Sequence, residues 1–420
     1  MSAPQTHDPY AAFRVQGYRR YVIGWLLSIA GGQVQSLAVG WEIYQRTGKA
    51  LALGLVGLVQ AVPVMALALP AGYIADAFDR RRVVTFSLLG TIVSSLGLAA
   101  LSFFRGPVSL MYALLLLDAL VSALSRPARS SLVPQIVPRE TFANAVTWNI
   151  SLMQIGSVLG PAIGGFVVVF SVPAAYLFNT AGALAFLLLL TRVELREFPR
   201  QAERPSVQTL LAGLQFLRRT RLLLVLMALD MFAVLLGGAV YLLPIYAQDI
   251  LRVGPRGFGY LRAAPAAGSF LMALLMAHLP PMRHGGRNLL LAVAGFGAAT
   301  IVFGISTSFP LSLAMLFLTG AFDNVSMVVR GTLIQLLTPD AMRGRVSAVN
   351  GVFIGASNQL GGLESGLVAN WFGAVFSVVS GGIGTLVVVL TTALSSRQLR
   401  AIGPLQEVRF EEEKAAAAGK

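Results

Sequence analysis

The sequence predicts an all-α membrane protein: twelve transmembrane helices in two pseudo-symmetric six-helix bundles, with both termini in the cytoplasm. Three observations predict it. The 420 residues are 56% hydrophobic and 12% charged, against about 25% charged in a soluble domain, so a soluble fold would lack polar surface. The apolar residues fall in runs near the ~20 needed to cross a ~30 Å hydrocarbon layer. The two halves also repeat at an offset of 201 or 202 residues.

Residues 1–19 are polar and carry no signal-peptide core, so the first apolar segment is read as a retained helix. Hydropathy then places helices near 20–45, 50–75, 83–104, 107–129, 141–170 and 173–190, which form the N-terminal bundle 20–190. The linker 191–220 interrupts them. Within it Val207, Leu210, Leu211, Leu214 and Leu217 recur at helical spacing after Pro205 and Ser206, and the segment reads as an amphipathic connector on the cytoplasmic leaflet. Helices near 221–250, 257–279, 288–307, 309–337, 345–369 and 372–395 form the C-terminal bundle 221–395. Residues 396–420 are a solvated cytoplasmic tail ending EEEKAAAAGK.

The net charge of +14 raises the question of a nucleic-acid partner, and its placement answers it. With the N-terminus inside, only Arg46, Lys49, Arg105, Arg252, Arg256 and Arg262 of the 32 Lys and Arg lie outside. That asymmetry is the positive-inside signal; it sets topology and calls for a lipid bilayer, not nucleic acid. Cysteine is absent, which excludes disulfides, thiolate metal sites and a cysteine nucleophile. The sequence has no phosphate loop, HExxH or nucleophile elbow, so neither an enzyme nor an ATP-driven pump is expected, and no cofactor beyond a proton gradient.

The repeat aligns Arg129 with Arg330, Leu132 with Leu333, Pro138 with Pro339, Asn149 with Asn350, Gly160 with Gly361 and Gly165 with Gly366 at 201. At 202 it aligns Gly57 with Gly259 and Pro63 with Pro265. Parallel six-helix repeats with a site near the midplane are a known transporter architecture.

The loop Gly72-Tyr-Ile-Ala-Asp76-Ala-Phe-Asp79-Arg80-Arg81-Arg82 resembles the signature loop of the major facilitator superfamily, Gly-x-x-x-Asp-x-x-Gly-Arg-Arg. Asp79 stands where that pattern has glycine. A worn copy without the acid runs from Pro281 to Arg287. Two longer stretches, Ser125-Arg126-Pro127-Ala128-Arg129 through Ala145 and Arg330 through Gln335 with Pro339-Asp-Ala-Met-Arg343-Gly-Arg345-Val-Ser347, resemble the branch of enterobactin-exporter-like transmembrane secretion effectors. The resemblance covers about residues 10–395. It implies the fold, alternating access and export of a small molecule, siderophore-like or drug-like, across the inner membrane by proton antiport. It also implies a cytoplasmic gate of Gly72, Asp76, Asp79, Arg80, Arg81, Arg126, Arg129 and Arg343, in a protein read as monomeric. Gly156, Gly160, Pro161, Gly164 and Gly165 resemble the antiporter motif of drug/proton exchangers; the alternative is ordinary small-residue packing.

Ionisable groups inside a bilayer mark ion or substrate paths by default. Asp118, Asp230, Asp323, Arg330 and Glu364 fall at such depths, with Gln33, Asn149, Asn324 and Asn358 as neutral polar lining. Asp323 and Arg330 sit seven residues apart on one helix, about 10 Å at 1.5 Å per residue. A proton carrier needs a carboxylate that burial makes basic and that water or a cation makes acidic again. Asp230 and Asp323 are the expected carriers, with Asp118 and Glu364 near the substrate; a salt bridge of Asp323 with Arg330 or Arg129 is the structural alternative. His278 ends the eighth predicted helix and is read as loop-facing. Nutrient uptake and a non-transporting membrane sensor are the competing functions.

Overall fold

The computed structural model describes residues 8–67, 70–195, 214–218, 220–280 and 282–404, without the side chains of residues 75, 76, 340, 341 and 348. The described secondary structure is helical throughout. The helices are α1 Ala11–Arg14, α2 Gln16–Thr47, α3 Ala50–Ala66, α4 Pro70–Ala77, α5 Arg80–Phe103, α6 Val108–Ser130, α7 Val133–Ile136, α8 Arg139–Phe170 and α9 Val172–Thr191. They continue as α10 Arg221–Leu236, α11 Leu243–Ile245, α12 Gly254–His278, α13 Gly285–Ile305, α14 Phe309–Leu336, α15 Asp340–Phe372, α16 Ala374–Ser395 and α17 Arg397–Arg400. Among the described residues ten segments are long and apolar enough to cross a membrane, the one beginning at Arg221 running on to Ile250; α3, at 17 residues, is a shorter apolar helix. The chain is a multi-pass membrane protein.

Two expected helices are not continuous α-helix over their described residues. In the segment 50–75 α3 ends at Ala66, and the described residues are helical again from Pro70, with Ala71 N–H donating to the Leu67 carbonyl at 2.9 Å. The segment 221–250 ends its α-helix at Leu236. The pair Gly237–Gly238 follows, then a 3₁₀ turn Ala239–Leu242, the short α11 with Pro244, and a π-helical turn Tyr246–Ile250. Glycine lowers helix propensity, and π turns concentrate at functional sites. Of the expected linker helix only 214–218 is described, and it is helical; 205–213 and 219, like the tail from 405 onward, lie outside the described residues.

Two compact units emerge. Unit 1 comprises Met1–Val39 and Ala66–Pro205, and unit 2 comprises Gly40–Met65 and Ser206–Lys420. In unit 1, α5 packs against α6 and α9, α4 against α6, and α8 against α9. Its core joins Tyr18, Tyr21, Leu132, Ile136 and Phe186, all essentially buried. In unit 2, α14 packs against α12 and α13, α16 against α13, and α15 against α10 and α16, around Leu223, Leu226, Val329 and Leu333. Within this unit α3 meets α15 at glycines: a Cβ on Gly57 would stand 2.6 Å from the Gln359 carbonyl oxygen. Large apolar side chains such as Phe86, Phe103, Phe170 and Leu394 point outward, as lipid-facing positions require.

Candidate functional site

In unit 1 the site grows from one face of α6 and one of α5. Asp118, Ser122, Ser125 and Arg129 follow at steps of four, three and four, and Val84, Ser87, Leu88 and Thr91 at three, one and three, so each set shares a helix face. Together with Gln33 they line a cavity of about 380 Å³. Thr91 donates its hydroxyl to Asp118 at 2.8 Å. Beside it Asn179 Nδ2 donates to Gln35 Oε1 at 3.0 Å and to Ser95 Oγ at 2.9 Å, while Ser95 donates to Gln35 at 2.8 Å. This buried triad ties α2, α5 and α9 together. Thr91 and Asn179 escaped the sequence reading. A lone Asn in the apolar run 173–190 was the available signal, because a polar amide in hydrocarbon must find a partner.

The residues expected at the gate do measurable structural work. Asp79 is the N-cap of α5, its Oδ1 accepting the Arg82 backbone N–H at 3.0 Å, with φ −61°. The turn therefore needs no left-handed residue, and aspartate serves where the superfamily pattern has glycine. Arg80 donates to the Ser131 carbonyl at 3.3 Å. Arg81 donates to the carbonyls of Val193, at 3.3 Å, and Thr191. Ser131 and Thr191 close α6 and α9, whose last carbonyls lack helical partners. Gly72 and Asp76 lie on α4, the Asp76 side chain outside the described set. Arg126 and Arg129 line the cavity, and Tyr21 Oη contacts the Arg129 carbonyl at 3.4 Å. Arg343 is exposed near the start of α15.

The glycine-rich stretch of α8 seats α2. A Cβ on Gly156 would meet Ile29 at 2.6 Å, on Gly160 would meet Gln33 at 2.5 Å, and on Gly164 would meet the Val34 Cα at 3.1 Å. Pro161 and Gly165 are buried in the same helix. Asn149 lies on the same α2–α8 seam, its Oδ1 3.0 Å from the Tyr18 hydroxyl, which also donates to the Ala145 carbonyl at 2.9 Å.

In unit 2 the structure pairs Arg330 with Asp230, bringing α14 against α10. Both are buried, at 5% and 7% exposure. The sequence reading had placed Arg330 near Asp323 on its own helix. The structure gives it the acid of a neighbouring helix, and Asp323 shares a small cavity with Asp230, Val234 and Phe322. Asp323 also lines a larger cavity of about 180 Å³ with Tyr241, Phe296, Phe303 and Asn358. Asn358 Nδ2 donates to the Ile354 carbonyl at 2.8 Å. Asn324 Nδ2 donates to Ser269 at 3.2 Å, and its Oδ1 has no partner among the described residues. Glu364 accepts from Ser365 at 3.2 Å. Tyr241 donates to Gln359 at 2.6 Å.

The C-terminal end of α2 adds contacts that sequence reasoning missed. Tyr44 donates to Asp249 on the π turn, Glu42 pairs with Arg46, and Trp41 stacks on Phe258 at 5.9 Å. His278, last in α12, is exposed, with Nδ1 2.8 Å from the Leu274 carbonyl oxygen. Among the described residues no cluster could hold a metal ion.

The chain matches the family described as transmembrane secretion effector over residues 7–415. It is 27% identical over 409 residues to the enterobactin exporter EntS of Shigella boydii serotype 18, covering 95% of this chain and 94% of that one. EntS of Escherichia coli strain HS shows the same identity and coverage. Among solved structures it resembles the nucleoside transporter NupG, with TM-score 0.73 at 11% identity over 90% of this chain and 99% of that one. It also resembles a bacterial homologue of the human lysosomal transporter Spinster in an inward-facing and occupied conformation, with TM-score 0.71 at 14% identity over 93% and 98%. Identities this low speak for the fold alone.

Proposed function

Because the chain belongs to the transmembrane secretion effector family of the major facilitator superfamily, and is thus a membrane transporter and not an enzyme, we propose that it exports a small molecule by proton antiport. In this reading twelve helices cross the inner membrane, both termini are cytoplasmic, and the protein works as a monomer by alternating access. The similarity to enterobactin exporters supports the direction and puts a catecholate siderophore first among substrates.

The observation that carries the coupling is the Asp230–Arg330 pair beside Asp323. Two carboxylates face one guanidinium where charge is expensive. Arg330, whose guanidinium stays charged, is the ion-pair partner of Asp230. Asp323 is the acid free to take and release a proton, and it reaches both the small cavity and the larger one. A proton on Asp323 and a substrate in that larger cavity are then alternatives, which is the requirement for exchange. Asp118 and Glu364 act near the substrate, and Asp76 with the Arg80–Arg81 loop acts at the cytoplasmic gate.

The test uses inside-out vesicles acidified by respiration and a pH dye. A catecholate siderophore, a macrolide and a lipophilic cation are added in turn. Prompt proton release on one compound, absent from vector-only vesicles and lost in Asp323→Asn, is the expected result. Wild-type release from an Asp230→Asn/Asp323→Asn double variant would remove these acids from the coupling.

A further inference from the structure

The charges lining the unit 1 cavity do not balance. Asp118 is engaged by Thr91 and is the carboxylate whose charge Arg129 senses within the cavity. Arg129 follows eleven residues later, about 16 Å along the axis at 1.5 Å per residue, with Arg126 exposed beside it. The described ion pairs join Arg14 to Asp8, Arg46 to Glu42 and Arg330 to Asp230; neither Arg126 nor Arg129 is among them.

The internal repeat shows what is missing. Arg129 is the counterpart of Arg330 at an offset of 201. Moving the same 201 residues back from Asp230 arrives at Ile29, and from Asp323 at Ser122; both line this cavity. Unit 1 has kept the guanidinium and carries an isoleucine and a serine where unit 2 carries acids. A guanidinium taken into a cavity needs an anion or water, and its planar fork matches carboxylate, sulfonate or phosphate oxygens in pairs.

We propose that the unit 1 cavity is a subsite for an anionic group on the transported solute, bound by Arg129, with Asp118 and Thr91 meeting a hydroxyl or amine of the same solute. The proposal rests on the export reading and deepens it by naming a chemical class. It assigns the anion to a solute and not to a lipid headgroup, because the cavity's uncharged lining includes the polar groups Ser28, Gln33 and Ser122, which offer hydrogen bonds that an acyl chain cannot use.

The probes are 4-fluorobenzoate and its neutral isostere 4-fluorobenzamide, titrated by fluorine NMR against the full chain in phosphatidylcholine nanodiscs. The wild type is expected to bind the benzoate at least tenfold tighter than the amide. Arg129→Gln should erase that preference, Arg129→Lys should keep part of it, and Arg139→Gln, which removes an exposed charge outside the cavity, should leave it whole. A folding defect in Arg129→Gln is recognised by equal loss of amide binding, and Arg129→Lys then decides: retained preference supports the subsite, and none overturns it. Equal binding of the two probes, binding of neither, or an unchanged preference in Arg129→Gln also overturns it. Displacement of the benzoate by 30% phosphatidylglycerol would give the site to lipid and end the solute assignment. Substrate-evoked proton release in vesicles separates the two readings: flux without charge preference sinks only the subsite, and charge preference without flux sinks only export.

Discussion

Arg330 and Asp230 form a pair whose members can be removed singly or together, and the difference is informative. Arg330→Met leaves a carboxylate buried at 7% exposure without its cation, and breaking such a pair from one side costs roughly 3–5 kcal/mol. Thermal unfolding in detergent should show that loss, and the double variant Asp230→Asn/Arg330→Gln should recover most of it while still failing to exchange protons. Recovery absent from the double variant would mean the pair is not the unit lost. The sequence made the acids visible, because a chain that is 12% charged has few reasons to keep them at depth. It did not make the partner visible: whether Arg330 turns to Asp323 on its own helix or to Asp230 on α10 depends on the relative rotation of two helices, which hydropathy does not encode. Thr91 was hidden for a related reason, since a threonine is ordinary in an apolar helix until its hydroxyl is seen against Asp118.

At the scale of an element, Asp79 gives the sharpest forecast. Its capping bond to Arg82 predicts that Asp79→Ala lowers stability by about 1 kcal/mol, whereas Asp79→Gly costs only a few tenths. Parallel melting curves of the two variants test this, and a glycine as damaging as alanine would show that the cap is not what matters. The α3–α15 contact gives a second: Gly57→Val places a branched side chain against the Gln359 backbone, so helix packing within unit 2 must shift and unfolding should come at lower temperature. Replacing exposed Gly344, with open space around it, is the matched control. Element existence was legible because each apolar run is long. The break at Gly237–Gly238 and Pro244 was present as letters, but a hydropathy window averages over it.

For the whole molecule, the absence of cysteine makes topology directly measurable. Single cysteines at Lys49 and Arg105 should react with an impermeant maleimide in intact cells, and one at Arg283 should react only after permeabilisation; the reverse pattern would invert the orientation. The repeat at 201 residues was legible as a string of coincident residues, because both halves face the same bilayer. The division between units was not, for it falls inside α2, between Val39 and Gly40, with no change in composition to mark it. One helix carries a further consequence for how the chain is made. At 33 residues α15 is long, yet Asn350, Asn358, Gln359 and Glu364 keep it outside the ten apolar candidates. A nascent segment leaving the translocon partitions by its own apolarity, and this one has too little to enter lipid alone. Its place there depends on α16, made next, or on α10, its packing neighbour made a hundred residues earlier. A chain truncated just before Ala374 would therefore leave α15 to depend on the neighbours already in place, α3 and α10, for its seat in the bilayer.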